Sequence, residues 1–220
     1  NQIIWLESCS STNDEAVARL GNPAIQAVAS THQTAGRGRL GRSWHSPQGA
    51  GLYLSWIARP RIPQAMGAAI PLMAATATAE ICLSLGVRVT LKWPNDVLCN
   101  GRKLAGILCE ARGTPAHWTA IVGIGINRVV PQGGWPSDVP GIALDEVIAA
   151  PPSPTELADL MVDRFETWLR RINQDGIAPV ITTWQKHGFP VGTPLYRDGL
   201  RGHFGGLSAV IHGDRQGVEL

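Results

Sequence analysis

The chain has 220 residues, of which 44% are hydrophobic and 16% charged, a composition typical of a globular protein with one ample core and room for a small added module. Its formal net charge of +2 is too mild to indicate a nucleic-acid-binding surface, and no apolar run is long enough to span a membrane. The four cysteines form no CxxC pair, and no histidine lies at metal-ligand spacing from them. We therefore expect buried free thiols in a cytoplasmic protein and no structural zinc.

Short strands and helices alternate along most of the chain. The hydrophobic pattern predicts strands at residues 3–6, 27–31, 52–58, 87–93, 104–109 and 118–126. It predicts helices that end near residue 20, span about 65–85, run from 153 through 173, and span about 178–187. The third of these should start with Ser153 as its cap, Pro154 at N1 and the Glu156 carboxylate at N3. The 65–85 segment forms one helix or two, with an interruption near Pro71. Residues 131–153 are proline-rich and predict a loop with at most a short helix.

Residues 10–13, SSTN, stand at the start of the first predicted helix. Either Ser11 or Thr12 can cap that helix, and Thr12 has Glu15 three residues later, as in a capping box. Hydroxyl and amide groups also suit a ligand that needs both donors and acceptors, so capping and ligand contact are both open. Gln33, after the second strand, can bond an amide-like ligand or serve as an ordinary loop residue.

Residues 36–42, GRGRLGR, show neither helical nor strand periodicity. Such a segment buries too little apolar surface to hold one shape unaided, so we expect a mobile loop. Glycines let a backbone approach an anion closely, and arginines supply charged forks that match phosphate or carboxylate. An anionic ligand that orders the loop and a solvated basic loop are both consistent with this stretch alone.

A second polar cluster spans residues 91–110, LKWPNDVLCNGRKLAGILCE. We expect a strand to end at Pro94, because proline lacks the backbone N–H that a strand uses. Asn95 and Asp96 then follow at the strand end, where open sheets usually place ligand groups. The cluster therefore carries candidate functional residues.

Two lysines of this cluster stand out in an arginine-rich chain. Of the nineteen basic residues only Lys92, Lys103 and Lys186 are lysine. The Asn100-Gly101 pair predicts a two-residue hairpin turn, which we expect to place Lys92 and Lys103 on neighbouring strands. Either the site needs a compact ammonium instead of a planar guanidinium, or the clustering is chance.

Gly123 and Gly125 lie near the end of the strand predicted at 118–126. They allow either a ligand to approach the backbone or a helix to pack closely on the strand. After residue 188 the pattern changes to short strands and turns, at 195–196, 198–199, 207–211 and 213–217. This change predicts one domain at residues 1–188 and a small β module at 189–220, which looks short by one pair of strands.

Five motifs together resemble the catalytic domain of biotin protein ligases. They are SSTNDEA at residues 10–16, GRGRLGR at 36–42 followed by SWHSPQGAGLYLS, KWPND at 92–96, RKLAGILCE at 102–110 and VGIGIN at 122–127. They occur in the family's order and spacing over roughly residues 1–186. The resemblance implies an α+β fold, with a mixed, mainly antiparallel sheet packed with helices as in the class II synthetase-like biotin and lipoate ligases. It also implies that the C-terminal module is SH3-like.

The resemblance implies which residues of this sequence hold each substrate. Contacts to biotin are expected from Ser11, Thr12, Asn13, Gln33, Gly36, Arg37, Lys92 and Gly106. Contacts to the nucleotide are expected from Arg37, Arg39, Arg42, Trp44, Lys92, Asn95, Lys103 and Asn127. Lys92 and Arg39 are the expected catalytic residues, and Trp44 would cover the ligand when the loop closes.

The implied chemistry has two steps. Biotin would first attack the α-phosphorus of ATP to give biotinyl-5′-AMP, with Lys92 stabilising the charge that builds on the phosphoryl oxygens. A lysine of the biotin carboxyl carrier protein of acetyl-CoA carboxylase would then attack the activated carbonyl. Mg²⁺ is expected with ATP, with Asn95 or Asp96 as a candidate ligand. Asp96 could instead orient Lys92, hold the incoming lysine, or make a plain hydrogen bond at the strand end.

Rival functions follow from the same resemblance. Lipoate or octanoate ligases share the architecture and the adenylate chemistry, but the residues of the GRGRLGR and KWPND motifs favour biotin. A biotin-responsive DNA-binding regulator would need an N-terminal domain that the motifs do not cover, so we expect no DNA binding. The presence of the GRGRLGR arginines and of Lys92 argues against a catalytically inactive biotin-binding protein. A homodimer is one expectation for the quaternary structure.

Overall fold

A seven-stranded sheet organises the chain in this computed structural model, which describes residues 2–136, 140–197, 200–212 and 215–219. Its strands are β1 (Gln2–Leu6), β2 (Ile25–Ser30), β3 (Gly51–Ala58), β4 (Thr90–Lys92), β5 (Asp96–Cys99), β6 (Arg102–Gly113) and β7 (Trp118–Asn127). They lie in the spatial order β1-β2-β3-β7-β6-β5-β4. β1 and β2 are parallel and all other neighbours are antiparallel, so the expected mixed, mainly antiparallel sheet is confirmed.

Four α-helices pack on this sheet: α1 (Thr12–Ala18), α2 (Ala69–Ser84), α3 (Pro154–Asp175) and α4 (Ala178–His187). Pro71 lies in the first turn of α2 and does not interrupt it, because that turn's N–H groups have no partner within the helix anyway. A short 3-10 helix at Gln64–Met66 precedes α2. The prediction at 65–85 therefore resolves into one α-helix with a separate 3-10 turn.

The two faces of the sheet have different partners because side chains alternate along each strand. Leu54 and Trp56 of β3 belong to the large core shared with α2, α3 and α4. Trp56 lies against Phe165 of α3, with ring centroids 5.6 Å apart. Ile57 of β3 points to the other face and packs in a smaller cluster with Ala16 of α1. The α1 face is thus more thinly covered, which leaves room for a cavity.

The helix starts confirm one capping prediction and correct another. Ser153 accepts a hydrogen bond from the Glu156 N–H, and the Glu156 carboxylate accepts one from the Ser153 N–H, which is the predicted capping box of α3. The capping box predicted for Thr12 is wrong. Ser11 is the N-cap residue of α1 but makes no side-chain cap bond, and Thr12 already belongs to the helix. The Thr12 hydroxyl bonds elsewhere in the site.

The hairpin between β5 and β6 confirms the predicted turn. Asn100 and Gly101 both have left-handed backbone angles, with φ of 50° and 74°. The expectation that Lys92 and Lys103 lie on neighbouring strands is wrong, because β5 separates β4 from β6. The KWPND segment itself reverses the chain, so its last residue, Asp96, begins a strand that the sequence pattern did not reveal.

The C-terminal segment contains the strands β8 (Pro194–Arg197), β9 (Leu200–His203), β10 (Ser208–His212) and β11 (Arg215–Glu219). β8 pairs with β9 and β10 pairs with β11, while the predicted turn at 198–199 and residue 213 lie outside the described residues. Phe204 and Leu207 are buried in the main core, and Phe204 lies 6.1 Å from Trp184 of α4 between ring centroids. The boundary at residue 188 and the SH3-like form stay predictions.

Two further expectations concern thiols and membranes. The four cysteines are free, and Cys82 and Cys99 are buried. Burial raises the pKa of the Cys82 thiol to about 12, so this group is chemically inert at neutral pH. Among the residues that the structure describes, no helix is both long and apolar enough to cross a bilayer.

The β5–β6 turn generates a stability prediction. Gly101→Ala should lower the free energy of unfolding by about 1 kcal/mol, because an L-residue is strained at a φ of 74° although no atom would lie within 4 Å of the added Cβ. Gly21→Ala is the matched control, since its Cβ also meets nothing and its backbone is not left-handed. Urea unfolding of both variants measures the difference. Equal stability of the two variants would contradict the strain account.

Candidate functional site

A cavity of about 280 Å³ lies on the α1 face of the sheet, over β6 and β7. The start of α1, the segment from Gln33 to Trp44 and the turn from Lys92 to Asp96 form its walls. The cavity is lined by most of the residues that the sequence singled out: Ser11, Thr12, Asn13, Gln33, Arg37, Arg39, Arg42, Trp44, Lys92, Asn95, Asp96, Lys103 and Gly106. Residues from five separate stretches of the sequence thus meet in one place.

Three glycines form the floor of the cavity. A Cβ at Gly125 would lie 2.3 Å from Nε1 of Trp44, and one at Gly106 would lie 2.8 Å from Cζ3 of the same ring. A Cβ at Gly123 would lie 2.3 Å from Oδ1 of Asn13. Helix packing is therefore present at Gly123, which makes room for α1, while Gly125 makes room for Trp44 and the approach of a ligand stays a prediction.

Hydroxyl and amide groups line one end of the cavity. The backbone N–H and the hydroxyl of Thr12 donate to Oε1 of Gln33, at 2.8 and 3.1 Å. The Gln33 side-chain N–H donates to Ser46 Oγ at 3.0 Å. Ser11 is buried and lines the same wall. These bonds fix the orientation of the Gln33 amide, so the end of the cavity presents donors and acceptors in set positions.

The sequence pattern missed two residues that support this polar end. Oγ of Ser55 lies 2.8 Å from Oγ1 of Thr12 and 2.6 Å from Oδ1 of Asn13. The Asn13 amide also donates to the Glu110 carboxylate at 3.1 Å. The only signal for Ser55 was one small hydroxyl residue inside an apolar strand. Glu110 gave no signal beyond its place at the end of the RKLAGILCE motif.

The GRGRLGR segment is a small hairpin, which we call the tongue (residues 36–44). Arg37 and Ser43 form an antiparallel bridge, and the Gly38 N–H donates to the Arg42 carbonyl at 2.6 Å. The tip is a 3-10 turn at Arg39–Gly41 in which Leu40 has a left-handed φ of 57° and is 88% exposed. Backbone hydrogen bonds across the hairpin thus give the segment a defined shape, and the expected mobility of this loop stays a prediction.

Arg37 is neutralised within the protein. Its two terminal nitrogens donate to the two carboxylate oxygens of Asp14 on α1, at 2.6 and 2.8 Å, and Nη2 lies 3.6 Å from the Glu110 carboxylate. Hydrogen bonding from Arg37 holds the pKa of Asp14 below its ordinary value. Arg37 lines the cavity as predicted, but its guanidinium is engaged by protein carboxylates and is not free for an anion.

Lys103 is fixed on the floor of the cavity. Its Nζ lies 2.7 Å from Oδ1 of Asp96 and 5.0 Å from the centre of the Trp44 ring. Asp96 therefore orients Lys103 instead of Lys92, although Asp96 and Lys92 are cross-strand neighbours in the backbone. The part of the chain described by the structure contains no group of three His, Cys, Asp or Glu side chains that could hold a metal, so Asp96 is not part of a preformed Mg²⁺ site.

Arg39, Arg42 and Lys92 are the cavity cations without a carboxylate partner among the described residues. Arg39 makes one long hydrogen bond, at 3.4 Å, to the Asn95 side-chain oxygen. All three are exposed at the mouth of the cavity. A cluster of unpaired cations stays stable in water but gains most from an anionic ligand, so the mouth is suited to a phosphate-bearing molecule.

Two predicted contact residues lie outside the cavity. A Cβ at Gly36 would meet Ser46, Trp44 and Gln33 atoms within 2.9 Å, so this glycine allows close packing at the base of the tongue. Asn127 is buried, and its amide donates to the carbonyls of Lys103 and Ile142, at 3.0 Å each. Asn127 therefore ties the end of β7 to neighbouring segments, and its predicted nucleotide contact is not supported by this position.

The fold and the cavity define a mixed-sheet α+β protein with a polar pocket beside a cation-rich cavity mouth. The family model described as "Biotin/lipoate A/B protein ligase family" matches residues 5–127. The chain belongs to this family, and the resemblance found in the sequence is confirmed.

Similar proteins include the "Biotin--[acetyl-CoA-carboxylase] ligase" of Paracoccus denitrificans, which is 34% identical over 200 residues, covering 86% of this chain and 82% of that protein. The "Bifunctional ligase/repressor BirA" of Bacillus spizizenii is 33% identical over 232 residues, covering 99% of this chain and 68% of that protein. Among solved structures, the biotin protein ligase from Aquifex aeolicus in complex with biotin and ATP has a TM-score of 0.80 and 25% identity, and the match covers 100% of this chain and 96% of that one.

The unpaired cations generate a binding prediction that needs no activity. Inorganic pyrophosphate should raise the melting temperature by about 2 °C or more at saturating concentration, because a ligand that binds only the folded state stabilises it. Arg42→Gln and Lys92→Gln should each reduce this shift. Arg88→Gln removes an exposed arginine outside the cavity lining and serves as the control. An equal reduction in the control would indicate a general charge effect and contradict a local site.

Proposed function

We propose that this protein is an ATP-dependent biotin protein ligase, which activates biotin as biotinyl-5′-AMP and then transfers it to a lysine of a biotin carboxyl carrier protein. The observation that carries the proposal is the cavity itself, in which a hydroxyl and amide end adjoins a cation-rich mouth. The name of the Paracoccus denitrificans relative, a biotin–[acetyl-CoA-carboxylase] ligase, supports the same reaction. The cavity thus provides separate places for a neutral ring and for a triphosphate.

Biotin fits the hydroxyl and amide end by its chemistry. Its cyclic urea has one carbonyl acceptor and two N–H donors, and its remaining surface is mostly apolar. Ser11, Thr12 and Gln33 offer hydroxyl and amide groups for the urea. Trp44 offers apolar surface beside the glycine floor for the rest of the molecule. Lipoate has no urea, so it would make fewer hydrogen bonds with these polar groups and would bind less favourably.

Trp44 lies on the floor of the cavity in this structure. Its indole N–H is buried and has no acceptor among the described residues. We propose that Trp44 shifts with the tongue and covers the bound ligand, as the sequence resemblance implied.

The first chemical step places negative charge on the α-phosphoryl oxygens. The biotin carboxylate oxygen attacks the α-phosphorus, pyrophosphate leaves, and a fixed cation lowers the barrier more than a mobile one. Lys92, the residue predicted for this role, is exposed and has no carboxylate partner in the described part of the chain. Lys103 is held by Asp96 at 2.7 Å and still has two N–H donors for a ligand. This geometry favours Lys103 as the transition-state cation and Lys92 as a contact to the nucleotide phosphates.

The second step transfers biotin to an amine. The neutral amine of the acceptor lysine attacks the carbonyl carbon, the bond from that carbon to the phosphate oxygen breaks, and AMP leaves. Arg39 and Arg42 lie at the cavity mouth, where they can enclose the phosphate until the acceptor arrives. Nucleotide contacts by Asn95 belong to the same proposal, because its side chain lines the mouth beside Arg39.

Mg²⁺ is proposed as the partner of ATP without a protein ligand. In magnesium–nucleotide sites the phosphates supply much of the coordination, with one or two carboxylates from the protein. Among the described cavity-lining residues the one carboxylate is Asp96, and Lys103 engages it. The residues present therefore do not form a metal site, and the ion would enter and leave with the nucleotide.

The carrier protein of acetyl-CoA carboxylase is the proposed acceptor, in line with the name of the Paracoccus denitrificans relative. The four free thiols suit a reducing compartment, so we propose a cytoplasmic location. A homodimer stays a prediction, because the structure contains one chain.

Isotope exchange between ATP and pyrophosphate tests the proposed function. Biotin should support exchange in the presence of Mg²⁺, whereas lipoate and octanoate, assayed in parallel, should support little. The physical reason is that only biotin satisfies the polar end of the cavity. Exchange with lipoate equal to or above that with biotin would overturn the assignment to biotin.

The two lysines should behave differently in single-turnover adenylation. Lys103→Gln should lower the rate by roughly 100-fold or more, because it removes a positioned transition-state cation. Lys92→Gln should mainly raise the KM for ATP, since a contact made equally in the ground state and the transition state affects binding only. A larger loss of rate in Lys92→Gln than in Lys103→Gln would restore the assignment made from the sequence.

A further inference from the structure

Asp14 is an acidic residue of α1 to which neither the motifs nor the family resemblance assigns a role, and it contacts the cavity-lining Arg37. It lies in the first turn of α1, next to Asn13 of the polar pocket. Its carboxylate receives both terminal nitrogens of Arg37, at 2.6 and 2.8 Å. Two parallel hydrogen bonds between a guanidinium and a carboxylate fix orientation as well as distance. This pair therefore links a helix of the scaffold to the base of the tongue.

Backbone bonds make the tongue a unit that this link can hold. The Trp44 N–H donates to the Gly36 carbonyl at 2.9 Å, and Arg37 bridges to Ser43. Because the two arms of the hairpin are joined in this way, fixing Arg37 also fixes the arm that carries Trp44. Below the tongue, the N–H groups of Thr34 and Ala35 donate to the carbonyls of Cys9 and Ser10, at 2.9 Å each, so its base lies along the segment that leads into α1.

A second carboxylate supports the same link. Glu110 of β6 lies 3.6 Å from Arg37 and 3.6 Å from Arg112, and it accepts a hydrogen bond from Asn13. Arg37 thus faces two acids, one of which is shared with another arginine and with the polar pocket. The short bidentate contact is made with Asp14 alone, so Asp14 is the dominant partner.

We propose that Asp14 is a positioning residue that latches the tongue over the cavity through Arg37. The expectation from the sequence was that a ligand supplies the contacts that order this segment. In the structure, a protein carboxylate supplies one of them. The latch keeps Arg39 and Arg42 at the mouth and slows escape of a reactive adenylate, a consequence that rests on the proposed function.

The strength of the Arg37–Asp14 ion pair depends on how far its side chains are exposed to solvent. The side chains of Arg37 and Asp14 are 38% and 50% exposed, so solvent screens their attraction. Half-exposed ion pairs usually change an equilibrium by up to roughly fivefold. Such a modest latch suits a lid that must open in every catalytic cycle, because a much stronger one would also slow the entry of substrates.

Trypsin provides a test that does not depend on the proposed function. The tongue carries three cleavage sites, after Arg37, Arg39 and Arg42, and each becomes more accessible when the hairpin lifts. Asp14→Asn should speed cleavage in residues 37–42 by about fivefold. Glu15→Gln is the matched control, because it removes a carboxylate from the same first helical turn whose partner is Arg19 instead of the tongue. Asp14→Glu keeps a carboxylate and should lie closer to the wild type.

The outcomes of the trypsin test are distinct. Faster cleavage in Asp14→Asn, with Glu15→Gln unchanged and equal urea stability of both variants, supports the latch. Equal cleavage in Asp14→Asn and wild type overturns it. Equally faster cleavage in both variants would trace the effect to the first turn of α1 in general and would overturn the latch as well.

Labelling of a bystander protein tests whether the latch slows the escape of biotinyl-5′-AMP. With biotin, ATP and an unrelated lysine-rich protein, Asp14→Asn should still form adenylate but label the bystander about fivefold more per adenylate formed. Bystander labelling equal to wild type, with adenylation intact, overturns the role in retention. If the wild type itself shows no biotin-dependent exchange, the proposed function fails, while the trypsin result still decides the latch.

Discussion

Charge pairing inside the cavity is the constraint on which the account of this site depends. Arg37 uses both terminal nitrogens on Asp14, whereas Lys103 gives a single contact to Asp96 and keeps two donors. The Asp14–Arg37 pair therefore occupies the terminal nitrogens of Arg37 within the protein. The Asp96–Lys103 pair leaves two N–H donors of Lys103 open to a ligand. The sequence shows only a high density of basic residues in two motifs. The pairing decides which of those charges are available.

The sheet makes this pairing possible by controlling what projects into the cavity. Alternation along β7 puts branched side chains into the core and leaves Gly123 and Gly125 on the opposite face, where Asn13 and Trp44 rest. Ser55 on β3 then reaches the hydroxyl of Thr12 without obstruction. A flat floor flanked by polar groups and cations can accept a ring at one end and phosphates at the other.

The elements with strong local signals could be predicted from the sequence: the α3 capping box, the Asn100-Gly101 turn and the gathering of most site residues in one cavity. The misses concern contacts between distant segments. An acid in a first helical turn looks the same whether it faces solvent or holds Arg37, so Asp14 gave no signal. β5 is short and begins inside a polar motif, and strand periodicity needs more residues than that to be visible.

A structure of the protein with biotinyl-5′-AMP bound tests the central claim most directly, because it shows which cations contact the phosphate. The account predicts phosphate oxygens within hydrogen-bond distance of Lys103 and of Arg39 or Arg42, with Arg37 still on Asp14. A complex in which Arg37 has left Asp14 to bind the phosphate, while Lys103 makes no contact with it, would contradict the account.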